Sequence, residues 1–149
     1  MRVSFKTTYA IQAALDLALS SGEAPVRAKA IARRQGIPAR FLEQVLNAMK
    51  KAGLVQSLRG AAGGYTLNKP PSDISIAAIV EALDGPLIGA VSSPSRGARS
   101  RGAAKPDTLS EIWERVRQAE LDVLNSVTLK DLAARHRQLQ AERGLMYHI

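Results

Sequence analysis

The chain has 149 residues, 46% of them hydrophobic and only 4% aromatic, with a formal net charge of +8. That length fits one domain, or one small domain with an appended helix, and the composition is too apolar for a disordered chain. The absence of cysteine excludes disulfides and thiolate metal sites; with no run of about 18 apolar residues and no apolar N-terminal leader, a cytoplasmic chain that does not span a membrane is expected.

Taken in order, residues 7–20 read as a helix, because Tyr9, Ile11, Ala14, Leu15, Ala18 and Leu19 recur at helical spacing. Thr7 or Thr8 can cap its start, and Gly22 with Pro25 stops the chain beyond it. A second short helix covers 26–35, with Ala28, Ile31 and Ala32 inward and Gly36 ending it in a left-handed conformation. Ile37-Pro38 starts a third helix over 38–52, since proline suits a first helical turn. Its stripe of Phe41, Leu42, Val45, Leu46 and Met49 is core, leaving Ala39, Arg40, Glu43, Gln44 and Asn47 on or near the opposite face.

Gly53 ends that helix, Leu54, Val55 and Leu58 suit a strand, and Tyr65, Thr66 and Leu67 suit its return. Between them Arg59-Gly-Ala-Ala-Gly-Gly64 forms a small-residue tip, able to approach another surface closely or to serve as a plain hairpin turn. A linker at 68–73 leads to a fourth helix at 74–83 carrying Ile76, Ile79, Val80 and Leu83, stopped by Asp84-Gly85-Pro86. Residues 87–106 are rich in Ser, Gly, Ala and Arg, hold no acid, and read as a flexible loop of about 20 residues, functional or simply disordered. The longest helix follows over 108–127. Its wide stripe, with Leu109, Ile112, Trp113, Val116 and Val123 among its members, is one that a second copy of the same helix would cover. Thr128, or Ser126 before it, can cap a last helix over 129–141, after which the residues around Gly144 look like a tail.

Two helices joined by a tight turn and followed by a two-stranded ribbon make a winged helix-turn-helix, and the charge collects on the same stretch. Between Ala24 and Lys69 stand Arg27, Lys29, Arg33, Arg34, Arg40, Lys50, Lys51, Arg59 and Lys69 against the single acid Glu43, which accounts for the whole +8. A polyanion partner fits that charge, and the motif makes it double-stranded DNA. In such a unit the third helix enters the major groove. There Arg40 can donate two hydrogen bonds to guanine, Glu43 can accept from the cytosine amino group, Gln44 can pair with adenine, and Asn47 can reach a base or a phosphate. The bland alternative for Glu43 is a pair on its own helix with Arg40 or Asn47. Arg59 can enter the minor groove, while Gly60, Gly63 and Gly64 let backbone N–H groups approach phosphate. Arg33, Arg34, Lys50 and Lys51 read as phosphate or solvent residues. No nucleophile–base pair, metal set or phosphate loop marks an enzyme.

The segments MRVSFKTTYAIQAALDLAL, IARRQGIPARFLEQVLNAMKKAGLV and SLRGAAGGYTL together resemble the winged-helix repressors of the IscR, NsrR and CymR type. The resemblance is close over 1–85 and looser around Trp113 and Thr128 to Leu132. It implies a mainly α fold: a winged helix-turn-helix domain over 1–85, a sensor-type loop over 86–107, and a dimerisation helix with a C-terminal helix and tail over 108–149. It implies a homodimer on a palindromic or near-palindromic operator, with the Glu43 position reading bases and the Arg59 position entering the minor groove. Cluster-binding members carry three cysteines in the loop, where this chain has Ser92, Ser93, Ser95, Ser100 and several alanines. No ordinary iron–sulfur cluster is therefore expected here. One reading is a member that answers a small effector or a regulatory protein. Another is a sequence whose cysteines near Ser92, Ser93, Ala98, Ser100 and Ala104 were replaced. A third, less favoured, uses serine, aspartate or backbone ligands. A winged-helix module that binds a partner protein instead of DNA is the competing function.

Overall fold

The computed structural model describes residues 3–86 and 108–147. Most of the expected loop of 86–107, with its serines and arginines, lies outside the described residues, as does His148. The elements are α1 (Phe5–Leu19), α2 (Ala28–Gln35), α3 (Ala39–Lys51), β1 (Val55–Leu58), β2 (Gly64–Leu67), α4 (Ile76–Asp84), α5 (Thr108–Ser126) and α6 (Leu129–Tyr147), with a single 3-10 turn at Pro71–Asp73 before α4. The fold is mainly helical, with β1 and β2 antiparallel and Val55 paired to Leu67 at the base of the wing.

α1 runs through the middle of the core. Ala10, Ala13, Ala14, Leu17 and Ala18 are buried, and their small side chains let neighbouring helices approach closely. Larger members of the expected stripe, Tyr9, Ile11, Leu15 and Leu19, pack only partly against that core. The helix starts two residues before the expected point, because Ser4 rather than Thr7 or Thr8 caps it and accepts from the Thr7 N–H. Thr7 is instead buried, and its hydroxyl donates to Asp84 at 2.6 Å. α1 is thereby tied to the end of α4, just before the segment outside the described residues.

The other boundary shifts come from tertiary pairing. Val26 is not helical: it forms an antiparallel bridge with Tyr65 of β2, and α2 begins only at Ala28. Ile74 is extended, with its C=O accepting from Leu129 N–H, so Ser75 caps α4. Ile76 N–H donates to Val127 C=O in turn, which stitches the α5–α6 junction to the start of α4. Leu129 and Ala133 are consequently buried in the same core as α1–α4.

α6 does not stop at Ala141. It continues through Gly144 to Tyr147, and what reads as a tail is helix whose last turns are exposed. A single glycine inside a helix costs about 1 kcal/mol relative to alanine, too little to end it. No helix among the described residues is long and apolar enough to cross a membrane.

Thr128 and Asp131 form a capping box at the start of α6. Asp131 accepts from the Thr128 N–H at 2.9 Å, and Asp131 N–H donates to the Thr128 hydroxyl at 3.2 Å. The hydrogen bonds from Thr128 hold the Asp131 carboxyl below its ordinary pKa. A depressed carboxyl stabilises the fold above the unfolded value of about 3.9 and stops doing so as pH falls through the folded value. Asp131→Asn should therefore lower the thermal midpoint at neutral pH but not in strong acid, and an NMR titration of Asp131 in the wild-type chain should place its midpoint below the free carboxyl value.

Candidate nucleic-acid interface

The tight turn between α2 and α3 sets the geometry of the site. Gly36 takes φ 64 and ψ 34, the left-handed conformation that glycine adopts without a Cβ clash. Ile37 behind it is 4% exposed and plugs the core, and its N–H donates to Ala32 C=O. The C=O of Pro38 then accepts from Phe41 and Leu42, opening α3. Four residues of the α3 stripe, Leu42, Val45, Leu46 and Met49, are essentially inaccessible, so Arg40, Glu43, Gln44 and Asn47 stand exposed on the other side. Phe41 is only half-buried. Its ring lies 5.9 Å from that of Tyr9, and the Arg40 guanidinium sits over it at 4.9 Å. Arg40 thus leans on Phe41, and Glu43 stands beside it on the exposed face of α3. A shallow groove beside this face is lined by Gln44, Asn47 and Lys51 together with Glu81 and Ala82 of α4.

The basic residues fall into two groups. Arg33, Lys50 and Lys51 are exposed in the last turns of α2 and α3, where positive charge also favours the helix C-terminus. Lys50 additionally donates to the Ser57 hydroxyl at 2.8 Å, joining α3 to β1. Arg34 does not fit the reading of a free phosphate residue. Its Nε and Nη2 donate to both oxygens of Asp16, at 2.9 and 2.7 Å, and Gln35 donates to the same carboxylate. Asp16 is 4% exposed, the one acid of α1, and a buried carboxylate needs such partners. The ion pair raises the pKa of Arg34 above its ordinary value. Arg34 thus orients α2 against α1. The signal for Asp16 was present in the sequence, as a lone acid on a helix of alanines and leucines.

The wing is held more firmly than its composition suggests. Arg59 and Gly60 are exposed at the hairpin's turn, and Gly60 has φ 105. Gly63 and Gly64 are not free to meet phosphate as expected. Gly63 is buried, and a Cβ there would lie 2.2 Å from the Leu58 carbonyl oxygen. At Gly64 a Cβ would lie 2.6 Å from the Val26 carbonyl oxygen, because Val26 forms a single antiparallel bridge with Tyr65. These two glycines serve the hairpin itself, which leaves Gly60 as the glycine open to a partner. Arg27, next to Val26, reaches the wing tip and donates from Nη2 to the Ala61 C=O.

A helix-turn-helix with a wing, and a basic exposed face around both, is the architecture of a DNA-binding regulator, and the family comparison agrees. The model of a family described as Rrf2, iron-dependent transcriptional regulator, matches residues 3–135. The chain belongs to the Rrf2 family. It is 37% identical over 134 residues to the HTH-type transcriptional regulator CymR of Bacillus subtilis, covering 90% of this chain and 91% of that one. It is 36% identical over 132 residues to IscR of Serratia proteamaculans, covering 89% and 79%. Among solved structures, IscR of T. potens superposes with a TM-score of 0.77 at 38% identity, covering 99% of this chain and 96% of that one. CymR of B. subtilis superposes at 0.76 and 34% identity, covering 91% and 98%. This Rrf2 regulator is a DNA-binding transcription factor of a non-enzymatic family.

The family's description names iron, but a thiolate-held cluster does not fit this chain. There is no cysteine to hold a cluster, and among the described residues no three His, Asp or Glu side chains converge on a point. His136 lies on α6.

The apolar stripe of α5 is open. Leu109, Ile112, Trp113, Val116 and Val123 are between 44% and 64% exposed, and no residue of α5 is buried. The helix packs on α4, and Leu124 near its end and Val127 just beyond it lie against the core.

The division between Arg33 and Arg34 is testable by stability. Arg34→Ala leaves buried Asp16 with a single donor and should cost about 1–3 kcal/mol, the penalty of an undersatisfied buried group, toward the lower end because Arg34 itself is half-exposed. Arg33→Ala should stay within about 0.5 kcal/mol. Urea unfolding of the two variants side by side measures the difference.

Proposed function

We propose that this Rrf2 regulator binds a specific palindromic or near-palindromic operator as a homodimer, acting in the cytoplasm. The observation that carries the reading is the exposed face of α3, where Arg40, Glu43, Gln44 and Asn47 stand clear of the core behind them. The major groove of B-DNA is wide enough for a helix and displays a distinct pattern for each base pair. Arg40 can read guanine O6 and N7 once it leaves the ring of Phe41. Glu43 accepts from the cytosine N4 amino group, and Gln44 suits adenine. A carboxylate facing phosphates lowers general affinity, so its place on this face is explained by discrimination among bases. Arg59 enters the narrow, electronegative minor groove beside the wing, while Arg33, Lys50, Lys51 and the backbone of Gly60 hold the phosphates.

The homodimer rests on α5. A row of five large apolar side chains half-exposed on one helix is unusual for a monomer and is relieved by a second copy related by a twofold axis. Twofold symmetry then presents two α3 helices to two half-sites about one helical turn apart. Because the donor set lacks thiolates, the signal reaches this protein through a small effector or a regulatory protein instead of a thiolate-bound cluster.

The test is operator binding against salt. A duplex selected by the wild-type protein from a random library should bind far more tightly than unselected DNA, with affinity falling steeply as salt rises. Equal binding to both duplexes would refute sequence-specific recognition. Arg59→Ala should weaken the selected duplex by about 1–3 kcal/mol. Glu43→Ala should relax discrimination at a cytosine-containing position, and a uniform loss over all sequences would contradict base readout. Trp113→Ala should raise the dimer dissociation constant in sedimentation equilibrium; an unchanged constant would remove Trp113 from the interface.

A further inference from the structure

Arg27 is one of nine basic residues between Ala24 and Lys69, but the fold gives it a particular position. It caps the start of α2 through its backbone, its C=O accepting from Ala30 and Ile31, and its side chain makes no capping bond. The neighbouring Val26 exchanges two hydrogen bonds with Tyr65, 3.0 and 2.8 Å long, which lays the α1–α2 connection alongside β2. From there the guanidinium reaches across 34 positions of sequence and donates from Nη2 to the Ala61 C=O at 2.5 Å. Ala61 lies in the turn that starts with Arg59 and closes with the bond from Gly63 N–H to Gly60 C=O.

We infer that Arg27 is a positioning residue for the wing: it latches the wing tip to the start of α2 and so sets where Arg59 meets DNA. The reasoning is mechanical. A two-stranded hairpin alone is a marginal structure with a freely swinging tip. Here its base is fixed by Val55 and Leu67 and its second strand by Val26, and the turn beyond Gly64 is fixed by this one side-chain bond among the described residues. Losing it lowers the fraction of molecules whose wing is placed for binding, and apparent affinity falls by that fraction.

This inference rests on the proposed DNA reading only for its second half, and the experiment separates the two. The first arm needs no DNA. In the free full-length protein, trypsin cleavage after Arg59, followed by mass spectrometry, should become several-fold faster in Arg27→Ala, with the circular dichroism spectrum unchanged because Arg27 is exposed. Arg27→Met, which keeps the alkyl stem, should behave the same way. An unchanged cleavage rate in both variants overturns the latch.

The second arm uses the duplex selected by the wild-type protein. Arg27→Ala should bind it about three- to tenfold more weakly. The salt dependence should keep its slope, and the loss should largely vanish when Arg59 is already alanine, because the two residues act as a unit. A slope reduced by about one, with losses that add, would make Arg27 a direct phosphate contact and overturn the positioning role. If the wild type itself shows no preference for the selected duplex, the DNA reading fails, while the cleavage arm still decides the latch.

Discussion

The burial of Leu42, Val45, Leu46 and Met49 governs the rest of the molecule. Each fully buried side chain of this kind contributes roughly 1.5–3 kcal/mol of gross transfer free energy, so α3 has one stable rotation about its own axis. At 3.6 residues per turn that rotation leaves no freedom for Arg40, Glu43, Gln44 and Asn47, which must face outward. The exposed polar face of α3 is thus a consequence of core packing. The core is assembled to match: the small side chains of α1 allow close approach, and Ile37 seals the turn between α2 and α3.

Charge then divides into structural and available parts. Arg34 is committed to Asp16, a carboxylate that could not remain buried without it, and the pair sets how α2 lies against α1. Arg27 is committed to the wing tip. Arg33, Lys51 and Arg59 remain exposed beside the α3 face. Some of the nine basic residues between Ala24 and Lys69 are therefore engaged in setting geometry, and they are as basic as those left exposed.

α5 and α6 connect this domain to its expected partner. The α5–α6 junction is clasped to the start of α4 by backbone bonds at Ile74 and Ile76, and Leu129 is fully buried there. A partner held along α5 would therefore bear on the same core that fixes α3. Thr7 and Asp84 form a second tie, between α1 and the end of α4.

Local pattern alone determined the helix-turn-helix. The α3 periodicity, the Gly36-Ile37-Pro38 turn and the glycine-rich hairpin are short-range features, readable because an amphipathic helix and a tight turn are specified by neighbouring residues. The exposed stripe of α5 was legible for the same reason. What tertiary structure decided were the long-range pairings: Val26 bridging to Tyr65, Thr7 turning to Asp84, Asp16 capturing Arg34, and Gly64 packed against Val26. Each depends on groups many residues apart being brought within hydrogen-bond or van der Waals distance. No short window of sequence contains both partners, so only the folded chain shows which arginines and glycines are engaged within the protein and which are left exposed.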